Sequence, residues 1–181
     1  MNIHYEVNTK LKVKIVIVLI IVIFCCMIVT GLYISEGYVA KKKISDYSSY
    51  SHDSALLFSI DDVKINEINE EGYMEVLGWA CEEGNNITRY NCHLALEDAL
   101  RDTVYILPTM MVFREDVGAY YGKSGYYDSG FYSKARTEKI PFEDNQLEFV
   151  IVYENNTSEI YFHTGAYIVN GETTWLNNEG E

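Results

Sequence analysis

The chain has 181 residues, with 14 Lys plus Arg against 27 Asp plus Glu and hence a formal net charge of −13. The excess is concentrated after residue 43, because Ile44 and the residues that follow carry 8 basic and 25 acidic side chains, a net charge of −17. So negative a surface repels nucleic acid and anionic lipid head groups, which excludes nucleic acid as a partner and favours cations, basic partners or neutral ligands. A second interpretation stays open, in which the acidic side chains only keep the folded part soluble.

The first predicted element is a membrane-spanning helix over residues 15–34. Twenty apolar or nearly apolar positions run from Ile15 to Ile34, directly after Lys10, Lys12 and Lys14. At about 1.5 Å of rise per residue, such a run crosses the roughly 30 Å hydrocarbon layer of a bilayer. The alternative is a cleaved signal peptide, but signal cores usually have only about 7 to 15 apolar residues and are followed by small residues at the cleavage site. We therefore expect an uncleaved anchor.

The orientation of this anchor is predicted from the charges beside it. Lys41 to Lys43 on the far side equal the three lysines on the near side in number, but Glu36 is the first charged residue on the far side. The near-side lysines adjoin the apolar run, as expected for a cytoplasmic flank. We predict a short cytoplasmic tail at residues 1–14 and a single-pass protein of the cell membrane whose C-terminal domain is extracytoplasmic.

Residues 35–55 show little apolar periodicity and are predicted to form a stalk. From Leu56 the apolar residues recur with a period of two, in short aromatic or β-branched segments that are separated by Gly, Asn, Asp or Glu. The predicted strands are Leu56 to Ile65, Tyr73 to Cys81, Tyr90 to Asp98, Thr103 to Phe113, Gly130 to Arg136, Gln146 to Glu154 and Glu159 to Val169.

This pattern predicts an all-β domain over residues 56–170, followed by a polar C-terminal tail at residues 171–181. The connections are short, which favours antiparallel neighbours, and about seven strands bury their apolar faces best as two stacked sheets. The predicted fold is therefore a two-sheet antiparallel β-sandwich of about seven strands, preceded by one N-terminal transmembrane helix.

Two cysteines lie in the predicted domain. Cys81 and Cys92 fall on neighbouring predicted strands across a short loop, and an extracytoplasmic location permits a disulfide between them. Two buried thiols are the alternative, and the sequence leaves both open.

The longest predicted connection runs from Arg114 to Gly130 and is rich in tyrosine. Tyr120, Tyr121, Tyr126 and Tyr127 stand among its glycines, and loops of this length are often functional. A tyrosine ring combines an apolar face with a polar tip, which suits stacking on a sugar or anchoring a protein partner. The four tyrosines are therefore candidate ligand-binding residues, unless their rings fold back to close one end of the sandwich.

No catalytic constellation is visible in the sequence. The histidines of the predicted domain and stalk, His52, His93 and His163, have no metal-ligand spacing, and no serine lies in a nucleophile elbow. We therefore predict that the protein is not an enzyme and that it needs no cofactor. A hydrolase would need an acid pair or a triad that the linear order does not show. Three pairs of adjacent acids are candidate calcium ligands: Asp61-Asp62, Glu82-Glu83 and Glu115-Asp116. Their spacing matches no known calcium-binding loop.

Three short motifs carry a resemblance to a known class of domain. Gly78-Trp79-Ala80, Arg114-Glu115-Asp116-Val117 and Ser129-Gly130-Phe131, in this order, resemble a β-sandwich domain of bacterial surface-polysaccharide and membrane glycosyltransferase proteins. The likeness spans Ser59 to Val169 and implies an extracytoplasmic, glycan-associated accessory role without catalytic residues. Here Glu115 stands where a proline is common, and the module follows a lone helix instead of an enzyme.

The same motif residues have structural interpretations of their own. We expect Trp79 to anchor the core and Arg114 to pair with Asp116 or a nearby carboxylate at the entrance of the loop. Gly130 is expected to supply backbone freedom before Phe131 fills the core.

The predicted function is a membrane-anchored binding module that serves cell-envelope glycan or surface-polysaccharide processes. The alternative is a protein-interaction subunit that docks on a membrane enzyme or export complex. Its predicted partners are the lipid bilayer through residues 15–34 and either a glycan or a membrane protein.

Overall fold

The computed structural model describes residues 3–35, 37–52, 56–66, 72–84, 90–142, 146–155 and 158–175. The chain divides into two compact units, Met1–Glu36 and Gly37–Glu181.

The first unit is a single helix, α1, from Ile3 to Ser35. Its sequence contains no proline, so that every backbone N–H past the first turn has a carbonyl partner within the helix. The large apolar side chains described on α1 are each between 46% and 63% exposed. They are Ile15, Val16, Ile17, Val18, Leu19, Ile20, Ile21, Val22, Ile23, Phe24, Met27, Ile28 and Val29.

Among the residues that the structure describes, no helical segment combines the length and the apolarity that crossing a bilayer requires. The predicted apolar run continues to Ile34, and the side chains of residues 30–34 lie outside the described ones. A helix at this place is thus confirmed, whereas its membrane span is not supported by the structure and stays a prediction.

The second unit is mostly β, and its described residues form ten strands. They are β1 Ala40–Lys42, β2 Leu56–Asn66, β3 Tyr73–Glu82, β4 Tyr90–Asp98, β5 Thr103–Ile106, β6 Thr109–Val112, β7 Gly130–Arg136, β8 Gln146–Asn155, β9 Glu159–Val169 and β10 Glu172–Trp175. A six-stranded sheet has the order β1-β5-β4-β8-β9-β10, and a four-stranded sheet has the order β2-β3-β7-β6. Neighbouring strands are antiparallel throughout both sheets.

One hydrophobic core lies between the two sheets. Alternate residues of both sheets fill it, among them Met74 and Phe131 from the four-stranded sheet and Leu94 and Phe149 from the six-stranded sheet, each 0% exposed. The all-β fold with two antiparallel sheets, predicted from the period of two, is confirmed. The number of strands is larger than the seven predicted.

The predicted strand Thr103 to Phe113 is two strands that belong to different sheets. The chain changes sheet at Leu107 and Pro108, because Leu107 is buried and a proline has no N–H for a strand ladder. The hydroxyl of Thr109 fixes this crossing, since Oγ1 accepts a hydrogen bond from the Leu94 N–H at 3.1 Å and lies 2.8 Å from Ser133 Oγ.

Two further strands come from segments that were predicted to be a stalk and a tail. In the predicted stalk, β1 pairs with β5, and a 3₁₀ helix follows at Ile44–Tyr47. In the predicted tail, β10 forms a hairpin with β9 through Asn170 and Gly171, both at positive φ. Residues 176–181, the rest of that tail, lie outside the described ones.

The predicted stalk also covers part of the six-stranded sheet. We call residues 44–52 the strap. Its Tyr47 is 2% exposed and packs in a second cluster with Val104, Val150 and Tyr161 on the outer face of that sheet. The middle of β8 is consequently buried on both faces.

Candidate functional site

The tyrosine-rich connection folds into two short helices on the outer face of the four-stranded sheet. Helix α2 runs from Glu115 to Tyr121 and is followed by a 3₁₀ helix at Ser124–Asp128. Two acidic residues in its first turn favour the helix start, and Gly122 at φ +62° ends it in the left-handed conformation that glycine adopts readily. The sequence prediction of an irregular loop missed both elements.

The two short helices bury a third hydrophobic cluster against β2 and β3. Its buried members are Cys81, Val117 and Tyr126, with Leu57, Trp79 and Tyr121 packed against them. Trp79, expected in the main core, lies instead in this cluster, where its ring meets that of Tyr121 edge to face at 5.9 Å. Trp79 therefore anchors α2.

The four candidate tyrosines have different environments. Tyr126 is 1% exposed, and its hydroxyl donates to the Glu82 carbonyl at 3.3 Å. Tyr121 is partly buried and meets the rings of both Tyr126 and Tyr120 edge to face. Tyr127 is partly buried as well, whereas Tyr120 is 82% exposed on α2. Only Tyr120 therefore presents most of its ring to solvent.

A second exposed ring, Phe113, was not singled out in the sequence. It is 65% exposed and stacks on Tyr127, with ring centroids 5.4 Å apart and planes at 11°. Tyr127 in turn lies against Gly118 of α2, so closely that a Cβ there would meet its ring at 2.6 Å. The signal available in the sequence was a large apolar residue at the end of a predicted strand and directly before the charged triplet Arg114-Glu115-Asp116.

Arg114 ties this surface to the sheet beneath it. Its guanidinium donates to Asp116 from Nε at 2.8 Å and from Nη2 at 2.7 Å, while Nη1 donates to Asp61 at the β2 bulge. The hydrogen bonds from Arg114 lower the pKa of Asp116 to about 2 and raise that of Arg114 itself. The arginine side chain is only 17% exposed. Its hydrogen bonds to the two carboxylates hold the entrance of the loop in one arrangement.

Gly130 and Phe131 stand directly below this ion-pair network. A Cβ at Gly130 would lie 2.5 Å from Arg114 Cγ and 2.5 Å from the Val112 carbonyl oxygen, so glycine is required by the close approach of its neighbours. Phe131 points to the other side of the sheet and is 0% exposed in the main core.

Two rings of this part of the fold are mostly exposed, and each meets a partly buried tyrosine, Phe113 on Tyr127 and Tyr120 on Tyr121. We call Phe113 and Tyr120, together with the exposed Met110 of β6, the ring surface. Met110 is 60% exposed and stands opposite Tyr132 in the sheet register. Such a surface offers flat apolar faces, a thioether and one phenolic hydroxyl.

Cys81 and Cys92 are both free thiols. Both are buried, Cys81 in the cluster under α2 and Cys92 in the main core, and burial raises the pKa of each to about 12. The structure therefore has the two buried thiols that the sequence left as the alternative to a disulfide.

Four of the six acids considered as calcium ligands, Asp116 among them, are engaged with other groups. Asp61 pairs with Arg114, Asp62 with Lys64, and Glu82 accepts hydrogen bonds from Asn155 and Ser158. Within the described ranges, no three His, Cys, Asp or Glu side chains converge as a metal site would require.

The fold and this surface together define a class, a small antiparallel two-sheet β module with an exposed aromatic surface beside a short helix. Comparison of the chain with known protein families, with curated proteins and with solved structures gives no significant match.

Proposed function

We propose that this protein is a membrane-anchored, non-catalytic binding module whose ring surface holds a glycan of the cell envelope. The observation that carries the proposal is the 82% exposure of Tyr120 and the 65% exposure of Phe113, each of which meets a partly buried tyrosine ring. Exposed apolar patches commonly mark interaction sites, and rings held by neighbouring side chains lose little conformational entropy on binding.

A sugar ring fits the chemistry of these side chains. The C–H faces of a pyranose are apolar and stack on aromatic rings. Its hydroxyl groups can accept hydrogen bonds from a phenol and donate hydrogen bonds to it. The net charge of −17 after residue 43 favours a neutral or cationic glycan over an anionic one. The resemblance to accessory domains of surface-polysaccharide proteins leads to the same ligand class.

Helix α1 supports the anchoring part of the proposal. Thirteen of its apolar side chains are about half exposed, and hydrocarbon is the solvent in which such a helix surface costs least. The lysines before the apolar run favour a cytoplasmic N-terminus, and hence an extracytoplasmic β unit in this proposal.

The binding proposal is tested with the full-length chain in nanodiscs on an array of bacterial surface-polysaccharide fragments. We expect the wild type to be retained on at least one glycan, and Tyr120→Ala to lose about tenfold or more in affinity, as central aromatic contacts commonly do. Leu100→Ala is the matched control, because Leu100 is 85% exposed away from this surface. A wild type that binds no glycan, or a Tyr120→Ala variant that binds as tightly as the control, would contradict the proposal.

A protein partner is the second candidate, favoured by the position of Met110 and Met111. Both lie on β6, an edge strand of the four-stranded sheet, and are 60% and 38% exposed. Edge strands with flexible apolar side chains also suit protein contacts. A photo-crosslinker at Met110 that captures one defined membrane protein, combined with an empty glycan array, would favour this second function.

A further inference from the structure

A cluster of ionisable side chains lies on the outer face of the six-stranded sheet, away from the ring surface. Glu97 of β4 and Glu148 of β8 stand directly opposite each other in the strand register. His163 of β9 lies against both, with Nδ1 3.1 Å from Glu148 Oε2 and Nε2 4.0 Å from Glu97 Oε2. The carboxylate side chains are only 10% and 15% exposed, whereas the imidazole is 44% exposed.

Both carboxylates have a second donor. The hydroxyl of Tyr161 donates to Glu97 Oε2 at 2.6 Å, and the Gly165 N–H donates to Glu148 Oε1 at 3.1 Å. These two bonds hold the carboxylates in place and near each other. Like charges opposite each other on neighbouring strands repel, so the arrangement needs a cation between them.

Among the described residues, titratable side chains from three strands and the strap lie near His163. They are Glu97 from β4, Glu148 from β8, Tyr161 from β9 itself and His52 from the strap, with Tyr167 beside Glu148. The hydrogen bond with Glu148 raises the pKa of His163 above its ordinary value, although burial acts against this. Burial pushes the pKa of Glu148 up, but its hydrogen bonds with His163 and Gly165 outweigh burial and lower it.

The strap rests on the same residues. Tyr47 stacks on Tyr161 with centroids 4.8 Å apart, and the ring of His52 lies 5.6 Å from Tyr161 and 6.3 Å from His163. The backbone continues this contact, because the Ser51 N–H donates to the Glu159 carbonyl at 2.8 Å and the Tyr161 N–H donates to the Ser51 carbonyl at 3.0 Å. Tyr161 is thus shared between the strap and the acidic pair.

We propose that Glu97, His163 and Glu148 form a proton-operated latch, closed when His163 is protonated and loosened when it is neutral, and that this latch sets how firmly the strap is held. When His163 loses its proton, two opposed carboxylates remain without a cation between them. Turning Glu97 toward water relieves the repulsion but breaks its hydrogen bond with Tyr161, the ring that supports Tyr47 and His52.

The direction of the pH dependence follows from the raised pKa. A histidine whose folded pKa lies above its unfolded value of 6.5 contributes its full stabilisation below pH 6.5 and loses it as the pH rises through the folded pKa. The strap is therefore held more firmly at mildly acidic pH than at alkaline pH.

The latch is tested by hydrogen exchange of the full-length chain in detergent at pH 6 and pH 8.5, with exchange rates corrected for their intrinsic pH dependence. We expect protection of residues 44–52 to fall several-fold at the higher pH, because the stabilisation that comes with the raised pKa of His163 is lost there. Protection of β7, Gly130–Arg136, in the other sheet serves as the internal control.

Three variants separate the latch from a general effect of pH. His163→Gln is expected to remove the pH dependence and leave the strap loosened at both values. Glu97→Gln removes the repulsion and is expected to keep the strap protected at both, while His52→Gln should retain the wild-type pH dependence. Equal corrected protection in the wild type at both pH values, or an unchanged pH dependence in either the His163 or the Glu97 variant, would overturn the proposal.

Discussion

Replacing Tyr126 by alanine is expected to lower the free energy of unfolding by about 3 to 5 kcal/mol, the usual range for deleting a buried aromatic ring. Tyr126 is 1% exposed and forms the centre of the cluster that fastens α2 to the sheet. Its removal leaves a cavity between Cys81 and Val117 and takes away the hydroxyl that donates to the Glu82 carbonyl.

Tyr120→Ala is the matched comparison, because it removes the same type of side chain six positions earlier in the same segment. Since Tyr120 is 82% exposed, we expect its loss to change the free energy of unfolding by no more than about 0.5 kcal/mol. Urea denaturation followed by circular dichroism measures both variants. Similar midpoints for the two would show that the difference in burial does not exist in solution.

A methyl group at Gly78 is the second substitution with a large expected effect. A Cβ at this position would lie 2.3 Å from the Ser59 carbonyl oxygen and 2.6 Å from Phe131 Cζ. The carbonyl belongs to the backbone of the neighbouring strand β2. This backbone cannot move away without disrupting the pairing of β2 with β3. We expect Gly78→Ala to destabilise the fold by about 3 kcal/mol or more, as overpacking of a closed core does.

Gly122→Ala separates this steric effect from the ordinary effect of losing a glycine. Gly122 has φ +62°, but a Cβ there meets nothing within 4 Å, so only the left-handed backbone is penalised, by about 1 to 2 kcal/mol. Thermal unfolding of both variants shows whether the methyl group at Gly78 destabilises the fold more than the one at Gly122. A Gly78→Ala variant as stable as Gly122→Ala would mean that β2 and β3 lie farther apart than described.

The long strands were predictable because burial on one face imposes a period of two. The predicted bounds of β4, β7 and β9 match those of the structure, and those of β2, β3 and β8 agree to within one residue. In each of them, alternate apolar residues point into the main core, as Leu147, Phe149 and Ile151 do in β8.

The short elements were missed for physical reasons that differ from case to case. Strand β1 has three residues, two of them lysine, and exists only because β5 offers a free edge. Strand β10 is wholly exposed, so no apolar pattern marks it, although Asn170-Gly171 is a strong hairpin signal. Helix α2 has seven residues, too few for an amphipathic pattern to be counted.

The candidate sites were predictable only in part. Composition directed attention to the connection that became the ring surface, but it did not distinguish exposed Tyr120 from buried Tyr126, which depends on how the segment folds back. The meeting of Glu97, Glu148 and His163 depends on the register of three strands and on a bulge between Glu148 and Val150. Neither register nor bulge follows from one sequence alone.

The central proposal is that α1 anchors the chain in a membrane with the β unit on the outer side, and thiol labelling in intact cells tests it most directly. One variant carries Leu100→Cys in the exposed turn after β4, a second carries Asn8→Cys near the N-terminus, and the wild type gives the background. We predict that a membrane-impermeant maleimide labels the Leu100 variant in intact cells and the Asn8 variant only after lysis, and that alkaline carbonate leaves both in the membrane pellet. Release of the chain by carbonate, or labelling of the Asn8 variant alone in intact cells, would contradict the account.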